Sequence, residues 1–302
     1  TTPHYDVYGA TLCGLPLILQ GHNGTLAWAL TPNQADFADI YVEPMPRIRP
    51  EPGSVGHTKV PPPALLIEFL GGDIRPYLVK TAAGFETRHI PVATREQGPV
   101  VAFHGASAFV WRAAGYGDFA ALHQLLAMGQ AQDTDTFLAA MAQRHLPSFH
   151  VICADRNGTI AYLYNTAAPA ARVAGRDGTE LLRPLEPAVW RAITPDPVPF
   201  AELPLVRNPA SGFVQACGNP PEGATTGIAD LAVLPPGIVT DRDTHRAQRA
   251  RDLLGAPQLA AHDALPMNFD TYAPVAALVI PQLQQLGAEA QGLHPDAGAL
   301  VG

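Results

Sequence analysis

Residues 5–43 read YDVYGATLCGLPLILQGHNGTLAWALTPNQADFADIYVE. Leu15 to Gln20 is a short apolar run, and Gly21-His22-Asn23-Gly24 supplies turn chemistry, because Asn and Gly tolerate the backbone conformations of tight turns. Strands are predicted over Leu26–Leu30 and Ile40–Glu43. The chain therefore begins as β structure.

Outward from this stretch the pattern continues. Leu65–Leu70, Pro76–Lys80, Phe85–Pro91, Pro99–Phe103 and Ala108–Ala113 read as further strands. Proline-rich Pro44–Pro52 and Pro61–Pro63 read as irregular, since proline removes ladder donors. Two helices follow. Asp118–Met128 places Phe119, Leu122, Leu125 and Leu126 on one face, and Asp133–Gln143 does the same with Phe137, Leu138 and Met141; Asp118 and Asp133 are the expected caps. Strands return at Phe149–Asp155 and Thr159–Tyr164, joined by the hairpin signal Arg156-Asn157-Gly158, with Tyr162 and Tyr164 sharing a face. After a proline-rich connector (Pro184–Pro204), Gly212–Ala216 is a strand candidate. A charged helix, capped by Thr240 or Asp241, ends at Leu254 with Gly255 as its stop. A last helix spans Asp270–Leu286. Strands, a helix pair and strands again indicate an α+β layered protein rather than a parallel barrel.

The composition suits a globular protein: 47% hydrophobic and 15% charged residues in 302. A net charge of -8 without a basic stripe argues against nucleic acid as a partner. Cys13, Cys153 and Cys217 form neither a disulfide scaffold nor a CxxC pair, and read as free thiols. No apolar run approaches the roughly 18 residues of a membrane span. The chain opens on Thr1 without a leader, and Gly287–Gly302 has no periodicity, so a fragment ending in a tail or truncation is expected, with residues 1–286 as its domain.

No GxSxG, HExxH, Walker or GxGxxG motif is present. His145 and His150 are five apart, which suits neither a helix face nor a strand face, so histidine metal binding is not expected. Asp36 and Asp39, with the carbonyl of Ala38 between them, could offer oxygen to a hard cation, or stand as solvated loop carboxylates. His150 opens an apolar run that reads as a buried strand. It is then either a core histidine or a polar group aimed into a site from a strand end.

The order GATL, GLP, GHNG, LAW and an acidic pair before IYVE resembles the signature stretch of the penicillin acylase family, which includes acyl-homoserine lactone and cephalosporin acylases. Gly98-Pro99-Val100-Val101, HVICADRNGTIAY (150–162), Pro169, Arg172 and GFVQACGNP (212–220) extend the likeness over most of residues 5–250. The resemblance implies an N-terminal-nucleophile fold, a four-layer αββα sandwich here incomplete at both ends. It implies an amide hydrolase that matures from a self-cutting precursor, or zymogen, and works through an acyl-enzyme. N-acylated small molecules such as β-lactams or acyl-homoserine lactones are the implied substrates, and antibiotic metabolism the implied setting. The missing α-chain and the rest of the precursor are the implied partners, and the periplasm or the exterior the implied location.

Site residues carry over one by one. The nucleophile is expected a few dozen residues before Tyr5, outside this chain, so these residues alone are not expected to catalyse. One oxyanion donor should be a backbone N–H at the position of Pro32, which has none. The second should be an asparagine side chain, where this chain has His150; imidazole can donate through one nitrogen. Arg172 matches a supporting residue. Asp36, Ala38 and Asp39 match a calcium-binding stretch, and no organic cofactor is implied. Departures at both donor positions leave a non-catalytic acyl-binding homologue as the alternative.

Overall fold

The computed structural model describes residues 5–45, 71–95, 98–104, 107–168, 197–228, 230–234, 237–256 and 259–291. Its largest sheet has six antiparallel strands in the order β1-β2-β3-β9-β10-β11, with β1 at Tyr8–Ala10, β2 at Gln20–His22, β3 at Leu26–Thr31, β9 at Ser148–Asp155, β10 at Ile160–Thr166 and β11 at Leu205–Arg207. A three-stranded sheet runs β4-β8-β7, from Ala38–Pro44, Ser107–Ala113 and Val100–His104. β5 (Asp73–Thr81) and β6 (Gly84–Val92) form a separate antiparallel ribbon. The helices are α1 (Ala121–Gln130), α2 (Thr134–Met141), α3 (His245–Leu254), a single turn α4 (Ala264–Met267) and α5 (Pro274–Gln291). The architecture is mixed α/β with antiparallel sheets.

Alternation along the central strands decides where the core lies. Trp28 stands opposite Cys153 and Leu30 opposite Val151, so these four share one face with Leu26, Ala161 and Leu163. That face is buried against Leu125 and Met128 of α1 and Phe137 and Met141 of α2. Trp28 and Phe137 meet with ring centroids 5.9 Å apart, and the indole nitrogen donates to the Leu19 carbonyl at 3.0 Å. The opposite face carries Ala27, Ala29, Thr31, His150, Ile152, Tyr162 and Tyr164.

The GHNG turn does more than reverse the chain. The Asn23 Oδ1 accepts from the Thr25 and Leu26 N–H groups at 3.1 and 2.9 Å, fixing the turn. Its Nδ2 donates to the carbonyls of Gly129 and Ala131 at 3.1 and 2.5 Å. Those carbonyls lie at the C-terminal end of α1, where helical partners run out. One side chain thus joins the β2–β3 hairpin to the helix layer.

The structure corrects several expectations. α1 starts at Ala121, not Asp118, because Asp118 accepts from the Ala120 N–H at 3.0 Å and pairs with His145 at 2.7 Å; Phe119 is consequently exposed. Residues 212–216 form no strand: the Gln215 N–H goes to the Ala224 carbonyl within a loop, and the short strand lies earlier, at β11. The cap of α3 is Thr244, whose hydroxyl accepts from the Ala247 N–H at 3.1 Å, since Thr240 and Asp241 bond elsewhere. α5 has Pro274 at its first position, where no N–H is needed, and runs through Gln291. Asp133 does cap α2, reciprocally with Thr136. Leu65–Leu70, Pro61–Pro63, Pro169 and Arg172, with most of Pro44–Pro52 and of the 184–204 connector, lie outside the described residues.

Candidate active site

Three chain segments meet at one end of the six-stranded sheet: the exit of β3, the start of β9 and the end of β10. A lattice of polar side chains fixes them. Gln124, fully buried on α1, accepts from the His145 and Leu146 N–H groups at 2.7 and 3.0 Å, anchoring the approach to β9. Asn165 Nδ2 donates to the Leu146 carbonyl at 2.6 Å. Asn33 Nδ2 donates to the Asn165 carbonyl at 3.0 Å, and Ser148 donates to Asn33 Oδ1. The β3 exit, including Pro32, is thereby pinned to β9 and β10.

His150 sits in this corner at 0% exposure, on the rung between Thr31 and Tyr164. Its Nδ1 lies 2.9 Å from the Tyr162 hydroxyl. Its Nε2 lies 3.3 Å from Oδ1 of Asp241, within ion-pair range but without the alignment of a hydrogen bond. With Nδ1 accepting from Tyr162, the Nε2 proton faces the carboxylate. Thr31 Oγ1 is a further buried polar atom here without a partner among the described residues.

Asp241 is the centre of the cluster. Its carboxylate receives the Gln34 N–H at 3.1 and 3.2 Å on its two oxygens and the Tyr164 hydroxyl at 2.5 Å. Burial pushes its carboxyl up, but the contacts from His150, Tyr164 and the Gln34 N–H outweigh this and hold it below the ordinary carboxylate range. The tyrosines move the other way: burial, then the Asp241 charge, raises Tyr162 and Tyr164, so both stay protonated donors. The Cys153 thiol on the opposite face is pushed up to about 12, chiefly by burial, and is no nucleophile.

The segment bearing Asp241 is stitched to the β3 exit. The Asp36 N–H donates to the Ile238 carbonyl at 2.8 Å, Ala35 bridges Val239, and the Thr240 N–H and hydroxyl both reach the Gln34 carbonyl. Beside the cluster, on the same sheet face, Ala27, Ala29, Ile152, Ala154, Ile160 and Phe213 line an apolar recess of about 380 Å³.

Of the sequence-derived site residues, the structure brings Pro32 and His150 to this corner; Pro32 is exposed and His150 enclosed. Arg172 is outside the described residues. Asp36 lies in the turn before β4, while Ala38 and Asp39 stand within it, Asp39 opposite Arg112 of β8. The Phe37 carbonyl accepts from the Ala114 N–H, so alternation turns the Ala38 carbonyl away from β8. These oxygens are of the type calcium takes, but fewer than the six to eight it needs. Among the described residues no group of three His, Cys, Asp or Glu gathers around a metal position. Sequence reading missed Gln34, Tyr164 and Asp241. The shared face of the two tyrosines was the only local sign, and nothing near residue 241 links it to residue 150.

The sequence matches the penicillin amidase family over residues 1–300. Aculeacin-A acylase of Actinoplanes utahensis is 28% identical over 307 residues, 96% of this chain and 35% of that protein. Penicillin G acylase of Escherichia coli is 26% identical over 224 residues, 72% of this chain and 24% of that protein. A 45-residue stretch is 44% identical to the acyl-homoserine lactone acylase QuiP of Pseudomonas syringae pv. tomato, covering 15% of this chain and 6% of that one. The solved structure of a thermostable penicillin G acylase from Alcaligenes faecalis superposes with a TM-score of 0.65 at 17% identity, over 100% of this chain and 51% of its own. The chain belongs to the penicillin amidase family and has its fold. It spans about a third of the aculeacin-A acylase and a quarter of the Escherichia coli enzyme.

Proposed function

We propose that this chain is the charge-handling portion of an acylase that hydrolyses N-acyl bonds of small molecules, such as β-lactams or acyl-homoserine lactones. The family match over residues 1–300 carries the reading. In this reading a nucleophile upstream of Tyr5 attacks the amide carbonyl, the amine leaves, and water releases the acid from the acyl-enzyme. The corner formed by the β3 exit and His150 faces the developing oxyanion, with Arg172 in support. The apolar recess beside His150 suits an acyl chain. The remaining layers of an αββα sandwich come from polypeptide beyond these residues, maturing from a common precursor. Calcium at Asp36, Asp39 and the Ala38 carbonyl has a structural role only, and the periplasm or cell exterior is the place of action. No described helix is long and apolar enough to cross a membrane.

The test is release of free amine from a panel of N-acyl substrates. The 302-residue chain is compared with the polypeptide encoded when the reading frame is followed upstream of Thr1. Turnover by the longer polypeptide alone is the expected result, and turnover by the short chain removes the upstream nucleophile. A second reading, an acyl-binding homologue without turnover, is favoured by Pro32, which has no N–H, and by the Asp241 carboxylate standing 3.3 Å from His150 Nε2. Saturable acyl binding by the longer polypeptide with no amine released would establish it.

A further inference from the structure

We propose that the Gln34 N–H, the Tyr164 hydroxyl and the His150 Nε2 form an anion-receiving cradle, and that Asp241 occupies and closes it. This rests on the acylase reading and deepens it. The two expected oxyanion positions are Pro32, which cannot donate, and His150, whose free proton faces Asp241. The donors that gather there are the Gln34 N–H, two residues beyond Pro32, the Tyr164 hydroxyl, one strand across on the same rung as His150, and His150 itself. All three surround one carboxylate: the Gln34 N–H reaches both oxygens at 3.1 and 3.2 Å, Tyr164 donates to Oδ2 at 2.5 Å, and His150 Nε2 stands 3.3 Å from Oδ1. A backbone N–H with two side-chain donors, shut away from water, is the arrangement that stabilises the oxyanion of acyl transfer.

Two observations set this apart from an ordinary ion pair. The His150 Nε2 is wholly buried 3.3 Å from the carboxylate, yet makes no aligned hydrogen bond to it, so Asp241 does not fully satisfy the cradle. The carboxylate also sits at 1% exposure, where two anions cannot share one set of donors. A substrate oxyanion therefore enters only after Asp241 leaves. In this state the chain blocks its own site.

The test is chemical complementation in the full 302-residue chain, with formate and acetate as probes and chloride at equal ionic strength as the control. Asp241→Ala removes the occupant and leaves a carboxylate-sized space beside intact donors. Its melting temperature in chloride should fall, then rise saturably with formate or acetate. The wild type should bind these anions at least tenfold more weakly. The double variant Asp241→Ala/Tyr164→Phe should lose the response. The proposal is overturned if Asp241→Ala shows no carboxylate-specific rise, if the wild type responds equally, or if the double variant responds undiminished. Should Asp241→Ala not fold, Asp241→Asn keeps the shape, and the ¹⁵N signals of the His150 ring must then move; unchanged signals overturn the cradle. None of these readouts needs amide hydrolysis, so failure here leaves the acylase reading standing, and absence of turnover leaves the cradle standing.

Discussion

A carboxylate almost without solvent contact persists in a protein only where donors replace the water it has lost. Asp241 meets that condition through Gln34, Tyr164 and His150. Because its folded pKa is depressed, its contribution to stability is present above the unfolded value of about 3.9 and is lost as pH falls through the lower folded value. Between about pH 5 and about pH 2, wild-type melting temperature should therefore drop more steeply than that of Asp241→Asn; parallel curves by differential scanning fluorimetry would remove Asp241 from the linkage. At this scale the sequence was half readable. His150 could be marked from its resemblance and its place at a strand start. Asp241 could not, because the tie between residues 241 and 150 is tertiary, and an Asp in a polar stretch looks like a cap.

At the scale of elements, period and punctuation served well wherever a strand or helix owed its form to its own residues. The strand pairs around Arg156-Asn157-Gly158 and between Tyr77 and Arg88 follow local alternation and turns. Misplaced boundaries came where a side chain had a better offer elsewhere: Asp118 took His145, and Thr240 took the Gln34 carbonyl. Thr244 does what was expected of Thr240, so Thr244→Ala should cost about 0.5–2 kcal/mol of stability, read by urea unfolding, whereas Thr240→Ala should leave α3 intact. β4 carries the calcium proposal. Millimolar calcium should raise the melting temperature where magnesium does not, and Asp36→Asn with Asp39→Asn should abolish the rise. Identical melting curves with and without calcium would end that proposal.

For the whole molecule, the central sheet takes its sidedness from a single alternation. Odd positions of β9 meet the helices, while even positions carry the candidate site. Phe137, fully buried where α2 meets Trp28, closes the helix side, and Phe137→Ala should cost about 3–5 kcal/mol on chemical denaturation. Because core and site are opposite faces of the same strands, the variant should also loosen His150, visible as broadening of its ring signals. A destabilised variant with sharp, unshifted signals would show that the two faces are uncoupled. The mixing of helices with antiparallel sheets was legible from element order, but the pairing of β3 with β9 was not, because it joins segments far apart in sequence without a local signal.

The Asn23–Gly24 peptide that locks the hairpin to α1 also sets a chemical clock. Asn followed by Gly is the pair most prone to spontaneous deamidation, in which the glycine nitrogen attacks the side-chain amide and ammonia departs. Here the amide nitrogen is bound to two helix-end carbonyls and the oxygen is held by the turn, so the folded chain resists the attack. Once it happens, ring opening by water leaves a carboxylate facing the negative end of α1, an acceptor against acceptors. Each unfolding excursion thus carries a risk that it cannot be reversed. The lifetime of the molecule is tied to how seldom that one corner opens.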